Sequence, residues 1–306
     1  MGRRVVSLLP SATETIAALG HAGVLVGRSH ECDYPPGVTG LPVVSHPRRA
    51  PPATSAEIHR GVVELLQDVL SIYEVYPSAL QAADPDLIIT QDLCRVCAVA
   101  EDEVVAAARE HLGGEVEVLT SSPMTLADVF DDIERIGAAL GDEPAADALV
   151  TNLREELAEL AATVADRDRP RLALLEWADP LMAGGNWAPE LVEIAGAEPV
   201  LGNPGGHSPL ITPDALRDAD PEVILITPCG YGLPRAVADL EHLEKLDGWG
   251  DLTAVKSGRV AFADGSAYFN RPGPRLVDSA AIVAAVAHGV GPAMALEGEA
   301  WTLFRR

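Results

Sequence analysis

Two stretches far apart in this chain carry the same local instruction. Residues 79–90 read Ala-Leu-Gln-Ala-Ala-Asp-Pro-Asp-Leu-Ile-Ile-Thr, and residues 214–227 read Asp-Ala-Leu-Arg-Asp-Ala-Asp-Pro-Glu-Val-Ile-Leu-Ile-Thr. Proline has no N–H and disfavours helical backbone in the residue before it, so each Asp-Pro ends a helix. The apolar run that follows has no polar alternation, which is the signature of a strand buried on both faces of a parallel sheet. Two copies of helix, Asp-Pro-acid turn and strand therefore predict two α/β lobes. Between them, residues 125–140 and 143–165 read as helices broken at Gly141, with no strand signal. The second helix has about 22 residues and so spans ~33 Å at 1.5 Å per residue. The expected fold is α/β: two Rossmann-like lobes joined by a single long backbone helix, with a ligand cleft between the lobes. Residues 1–124 form the N-terminal lobe, 125–168 the helices that include the interlobe rod, and 169–306 the C-terminal lobe.

The other elements follow the same grammar. Val5–Leu9 reads as a strand ending at Pro10, and Ser11-Ala12-Thr13-Glu14 matches a capping box opening a helix closed by Gly20. Strands are expected at Val24–Val26, Val43–Val44, Leu87–Thr90, Val116–Leu119, Leu172–Leu175, Val223–Thr227 and Val260–Phe262. Helices are expected from Ser55, near Ser78–Ala83, Glu101–Glu110, Ala188–Ile194, Thr212–Arg217, Pro234–Leu246 and Arg275–Ala287. In open α/β sheets ligands sit at the carboxyl ends of the strands, so the loops after these strands should line the site.

The formal net charge is −24, from 22 basic and 46 acidic residues, and only Lys245 and Lys256 among the basic residues are lysines. Such a surface repels phosphate backbones and anionic lipid, which argues against nucleic-acid and membrane-surface partners and reads as a solubilising surface. The Ala-rich run from Ser279 to Leu296 is interrupted by His288, Gly289, Gly291 and Pro292, so membrane insertion is not expected. The first strand starts near residue 4 with no apolar leader ahead of it. That predicts a cytoplasmic protein; the alternative is an exported one whose start site lies further upstream.

Arg4-Val5-Val6-Ser7-Leu8-Leu9-Pro10-Ser11-Ala12-Thr13-Glu14, the Pro85-Asp86-Leu87-Ile88 turn and strand, its echo in the second half and the 143–165 helix together resemble the helical-backbone substrate-binding proteins of iron-siderophore and cobalamin uptake systems. Within that family, Ser29-His30-Glu31-Cys32-Asp33-Tyr34-Pro35 and Gln91-Asp92-Leu93-Cys94-Arg95-Val96-Cys97 resemble a cobalamin-binding subgroup. The resemblance implies a binding protein for a cobalamin-like corrinoid or metal chelate that is delivered to an ABC permease. Exported members dock that permease through one glutamate on each lobe. The corresponding positions here hold Ser78 and Asp214, which places permease docking in doubt.

Cys32, Cys94, Cys97 and Cys229 all follow expected strands on the carboxyl side. Four thiolates can hold zinc or an iron–sulfur cluster, with the C-x-x-C turn supplying two ligands; equally, they read as reduced thiols or as one Cys94–Cys97 disulfide. The alternative function is accordingly a cytosolic metalloprotein or redox enzyme on the same fold. Tyr34, Trp177, Trp187, Tyr231 and Tyr268 fall in loops after strands, and their flat faces suit a large planar ligand such as a corrin. His30 offers a neutral imidazole to a metal, and His46 and His207 have weaker claims. Ser11 and Thr13 lie at a helix start whose N–H groups suit an anionic group, and Arg271 could pair with a carboxylate or phosphate. No nucleophile–base–orienter set is legible, so no catalytic residue is expected.

Overall fold

The computed structural model describes residues 2–47, 73–92, 105–106 and 116–304. The chain divides into two units: Met1–Pro123 with Ala127–Thr151, and Met124–Leu126 with Asn152–Arg306. In the first unit the opening apolar run forms β1 (Val5–Ser7) and Pro10 begins α1 (Pro10–Ala18). Proline is at home in the first helical turn because its missing N–H would have no partner there. The expected capping box does not form. Extended Leu9 holds the N-cap position with no side-chain bond, while Ser11 and Glu14 lie buried inside the helix. The helix ends as read, with Gly20 at φ +80 donating back to the Ala17 carbonyl.

β2 (Leu25–Arg28) starts one residue later than expected. Val43 makes only a single bridge to Arg28, and the pairing that follows is an antiparallel ribbon of β3 (Ser45–Pro47) and β4 (Tyr73–Val75). Next come α2 (Pro77–Ala83), β5 (Leu87–Gln91), β6 (Glu117–Ser121), α3 (Leu126–Leu140) and α4 (Glu143–Val164). The division between the two units falls within α4, after Thr151. The expected helix from Ser55 lies outside the described residues. Of the helix expected at 101–110, the described residues 105 and 106 are helical. The sheet is parallel in the order β2-β1-β5-β6. Alternate residues feed opposite faces: Val5, Leu87 and Ile89 pack with Ala12, Ile16 and Ile136, and Val6, Leu8 and Ile88 pack with Val44, Leu80 and Ala83.

The second unit contains β7 (Arg171–Ala178), β8 (Leu181–Ala183), β9 (Gly185–Asn186), α5 (Ala188–Ile194), β10 (Glu198–Pro199), β11 (Asn203–Pro204), α6 (Pro213–Ala219) and β12 (Val223–Ile226). It continues with α7 (Leu233–Ala238), α8 (Leu240–Leu243), α9 (Thr253–Lys256), β13 (Val260–Ala263), α10 (Leu276–His288) and β14 (Trp301–Leu303). One expected helix over 234–246 is two short ones. The Asp239 N–H bonds to the Ala236 carbonyl three residues back, and this tightened turn breaks the helical ladder. The main sheet runs β10-β7-β12-β13-β14, with β14 the antiparallel edge. Its first four strands repeat the order of the first unit, β10 standing for β2, β7 for β1, β12 for β5 and β13 for β6.

The repeated Asp-Pro turn has the same construction in both units. Asp84 (φ 43) and Asp220 (φ 33) end α2 and α6 in left-handed backbone. An arginine at the start of the neighbouring strand holds each turn. Arg4 Nε donates to the Asp84 carbonyl at 2.9 Å and its Nη2 to the Ala83 carbonyl at 2.5 Å, while its N–H meets Asp86 Oδ2 at 2.9 Å. Arg171 donates through Nη1 to the Asp220 carbonyl at 3.4 Å, through Nη2 to the Ala219 carbonyl, and through its N–H to Glu222 Oε2 at 2.9 Å. A cation thus satisfies the carbonyls left over at a helix C-terminus, where the dipole favours positive charge.

Hydrogen bonds from a charged donor contribute about 1.5–3 kcal/mol each. Arg171→Met and Arg4→Met are each expected to lower unfolding free energy by about 2 kcal/mol, read as a lower urea midpoint at constant m. Asp220 differs from Asp84 in also accepting the Thr253 N–H at 2.7 Å and the Thr253 hydroxyl at 2.8 Å. The Thr253 N–H, followed by its hydroxyl, holds the Asp220 carboxyl below its ordinary value. A depressed carboxyl stabilises the fold above its unfolded value, about 4, and that contribution is lost as pH falls through the folded value. Asp220→Asn should therefore flatten the acid limb of stability measured as urea midpoints below about pH 5.

Candidate functional site

The carboxyl ends of β1 and β2 in the first unit are organised by Arg28. Its guanidinium donates to the Ser29 carbonyl at 3.0 Å, the Cys32 carbonyl at 2.9 Å and the Thr39 carbonyl at 3.0 Å, fixing the loop that carries His30, Cys32 and Tyr34. Tyr34 is 45% exposed and precedes a cis proline. His30 is partly buried, its Nδ1 3.2 Å from Ser45 Oγ. Burial first, then the proximity of His46 and of Arg28, hold His30 below its ordinary value against a bond to the Ser45 backbone. The neutral imidazole, which is the form that can ligate a metal, is thereby favoured.

Ser11 and Thr13 are buried. Thr13 Oγ1 lies 2.8 Å from Ser7 Oγ and 3.0 Å from Cys32 Sγ, so these three polar side chains hold β1, α1 and the His30 loop together. At the end of β6, the Ser121 hydroxyl donates to Asp132 at 2.5 Å and Arg135 pairs with the same carboxylate at 2.6 Å. Burial raises the Asp132 carboxyl, and the Ser121 bond and Arg135 oppose that rise.

A histidine with a weak claim from sequence proves more elaborately held. His46 stacks on Tyr76 with ring centroids 4.0 Å apart and 12° between planes, and its Nε2 lies 2.7 Å from Glu74 Oε1. The cross-strand pairing of β3 with β4 sets His46 opposite Glu74. Three-residue strands carry too little periodicity to be read.

In the second unit Trp177 lies within β7 rather than in the loop after it, and its Nε1 donates to the Asp179 carbonyl at 2.9 Å. Its ring meets Tyr231 at 5.2 Å, and the Arg235 guanidinium sits 3.9 Å over the other ring of that pair, Tyr231. Trp187 is the N-cap residue of α5 and donates to the Phe269 carbonyl at 3.1 Å. Tyr268, in a single π-helical turn over Gly265–Phe269, lies 4.4 Å beneath Arg275. Arg271 is buried, its Nη2 3.5 Å from Ser266 Oγ. Trp177, Trp187 and Tyr231 are each under 10% exposed, so they form walls rather than an open platform. The structure thus brings Trp177 and Tyr231 together and adds Arg235 and Arg275, which sequence reasoning did not single out.

Cys32 is fully buried in the first unit with its thiol directed at the Ser7 carbonyl, and Cys229 is exposed after β12 in the second. Cys94 and Cys97 lie outside the described residues. Among the described residues no group of three or more His, Cys, Asp or Glu side chains could hold a metal ion. Ser78 and Asp214 are equivalent in the two units, each the exposed second residue of a helix that opens with proline; Asp214 pairs with Arg217 at 2.6 Å. Among the described residues no helix is long and apolar enough to cross a membrane.

The π-helical turn rests on a close backbone approach. A Cβ on Gly265 would lie 2.2 Å from the Pro228 carbonyl oxygen and 2.6 Å from that of Thr227, neither of which can swing away. Gly265→Ala should therefore destabilise by about 2–4 kcal/mol, seen as a lower thermal midpoint.

Comparison with known proteins agrees with this architecture. A family model described as periplasmic binding protein matches residues 5–267. The vitamin B12-binding protein of Vibrio parahaemolyticus is 24% identical over 90% of this chain and 86% of its own length. The cobalamin-binding protein of Halobacterium salinarum is 25% identical over 93% of this chain and 69% of its own length. Among solved structures, a periplasmic heme-binding protein from Pseudomonas aeruginosa superposes with a TM-score of 0.70 at 20% identity, covering 95% of this chain and 94% of that one. With strand order, internal repeat and family match in agreement over most of its length, the chain belongs to the periplasmic binding protein family.

Proposed function

We propose that this protein binds a cobalamin-like corrinoid or a related metal chelate through the loops at its strand carboxyl ends, and hands it to an ABC permease. The observation that carries the reading is the ring-and-guanidinium set of the second unit, in which Trp177, Tyr231 and Arg235 meet at the ends of β7 and β12 and Tyr268 lies beneath Arg275. Flat apolar faces with polar tips suit a large ring system, and guanidinium groups suit its amide or carboxylate periphery. The full-length relatives named for vitamin B12 and cobalamin support the corrinoid as the first candidate. The first unit's own strand ends carry an exposed Tyr34 and a His30 whose neutral form is favoured, an aromatic face and a metal-seeking nitrogen. Toward a permease, Asp214 offers a carboxylate where Ser78 offers none.

Titration of the protein with cyanocobalamin, cobinamide and hemin tests the reading, followed by calorimetry and by quenching of tryptophan emission. A corrinoid should bind with a dissociation constant at or below about 1 μM, that is −8 kcal/mol or tighter. His30→Ala should weaken cobinamide, which leaves an axial position open, by about ten-fold, or 1.4 kcal/mol. Saturable binding of hemin alone would replace corrinoid by porphyrin. No heat and no quenching with any of the three at ~10 μM protein would overturn the reading.

A further inference from the structure

Tyr231 and Arg235 stand four residues apart across the start of α7, a spacing that lets side chains of one turn meet. The backbone of Tyr231 is fixed on both sides. Its N–H bonds the Pro228 carbonyl at 3.1 Å across Gly230, which is in left-handed backbone (φ 74), and its carbonyl accepts the Ser266 N–H at 3.1 Å. What the backbone leaves unfixed is the ring. Two side chains hold it: the Trp177 indole, tilted by 57° with centroids 5.2 Å apart, and the Arg235 guanidinium, 3.9 Å from the ring centroid. Both distances fall inside the ranges for attraction, about 4.5–7 Å between rings and up to about 6 Å between cation and ring. Trp177 is fixed from its own strand as well. Glu176 is the extra residue of a bulge against β8, and its side-chain oxygens accept the Gly185 N–H at 3.3 Å and the Ser208 hydroxyl. The indole Nε1 donates to the Asp179 carbonyl at 2.9 Å. Guanidinium, phenol and indole thus form a run of three contacts whose last member is anchored to β7.

We propose that Arg235 is a positioning residue for the ligand wall, acting through Tyr231 on Trp177 rather than by touching the ligand. The assignment rests on the ligand site proposed above and deepens it by dividing the labour among its members. Tyr231 is 2% exposed and Trp177 9%, so the phenol offers a ligand almost no surface of its own and serves as the backing of the indole. A phenol ring turns about two side-chain bonds, and a backing that moves has to be ordered when the ligand arrives, at a cost in affinity. The guanidinium removes that freedom in advance. Its charge is drawn to the negative face of the ring, and the attraction strengthens where water is excluded, as it is around a ring this covered. The flat guanidinium also stacks on the ring, which a compact ammonium does not do. Charge alone therefore supplies part of the effect, and Arg235→Lys should retain that part.

A double-mutant cycle on the full chain tests the assignment, with cyanocobalamin as the probe, or hemin if hemin alone saturates. Arg235→Gln should weaken binding about five-fold by calorimetry. It should also reduce the near-UV circular dichroism of the ligand-free protein while leaving the urea midpoint little changed, because Arg235 is only half-buried. In a Tyr231→Leu background the same substitution should scarcely alter affinity or dichroism, since the group it acts through is gone. Arg235→Lys should recover part of both losses. An equal loss of affinity in the two backgrounds would mean that Arg235 touches the ligand directly, and would overturn the proposal. So would a loss that only follows the urea midpoint and that Arg235→Lys does not recover. If the wild type binds neither probe, the ligand reading fails alone and the ligand-free spectra decide for Arg235. Dichroism changed by Arg235→Gln in the wild type but not in Tyr231→Leu upholds its hold on the ring, and dichroism that Arg235→Gln leaves unmoved overturns it.

Discussion

The architecture depends on how each helix is made to stop and deliver the next strand into the sheet. Arg4 and Arg171 do this in the same way, reaching from the start of one strand to the carbonyls at the end of a helix while their own backbone N–H groups bind the acid after the proline. The left-handed aspartate between helix and proline would otherwise be a costly conformation for a residue with a side chain. Because the clamp joins the first-numbered strand of each sheet to the turn before its neighbour, it fixes the parallel register, with Val5 level with Leu87 and Leu172 level with Val223. Where the strands begin is thereby set, and so is where they end.

At those ends the packing is tighter and the charge balance less ordinary than in the sheets. Gly185 and Gly265 allow backbone to touch backbone, which brings Ser208 and the Thr227–Pro228 corner against their neighbours. Ionisable groups there are displaced toward their neutral forms: His30 downward, Asp132 and Glu176 upward, in each case chiefly by burial. In a chain of net charge −24 this is a local departure. The surface carries many carboxylates, whereas burial at the strand ends shifts carboxyls and an imidazole toward their neutral forms and arginines lie over tyrosine rings.

The sheets were legible in the sequence because both depend on strong local signals. The Asp84-Pro85 and Asp220-Pro221 breaks, the unalternating Leu87–Ile89 and Val223–Ile226 runs, and the long helix beginning at Glu143 all appear where those signals put them. The failures share one cause, competition from a neighbouring residue or a distant partner. Pro10 started α1 ahead of Ser11 and dissolved the capping box. Trp301–Leu303 pairs antiparallel with Ala261–Ala263 through contacts that no short window contains. At the candidate site the residue types were legible but their partners were not. Trp177, Tyr231 and His30 stood out by chemistry, while Arg235, Glu74, Tyr76 and Glu176 matter through what folding sets beside them.

The antiparallel strand β14 has a consequence of its own. β14 pairs along β13 and inserts Trp301, almost wholly buried, with its indole N–H on the Ala293 carbonyl at 2.8 Å. It is the cover on an edge of parallel strands whose residues, Val260 through Ala263, are entirely buried. Removal of β14 would expose an apolar strand with open hydrogen-bonding positions, a template for pairing with other molecules. Loss of that one strand would thus show itself as precipitation rather than as weakened ligand binding.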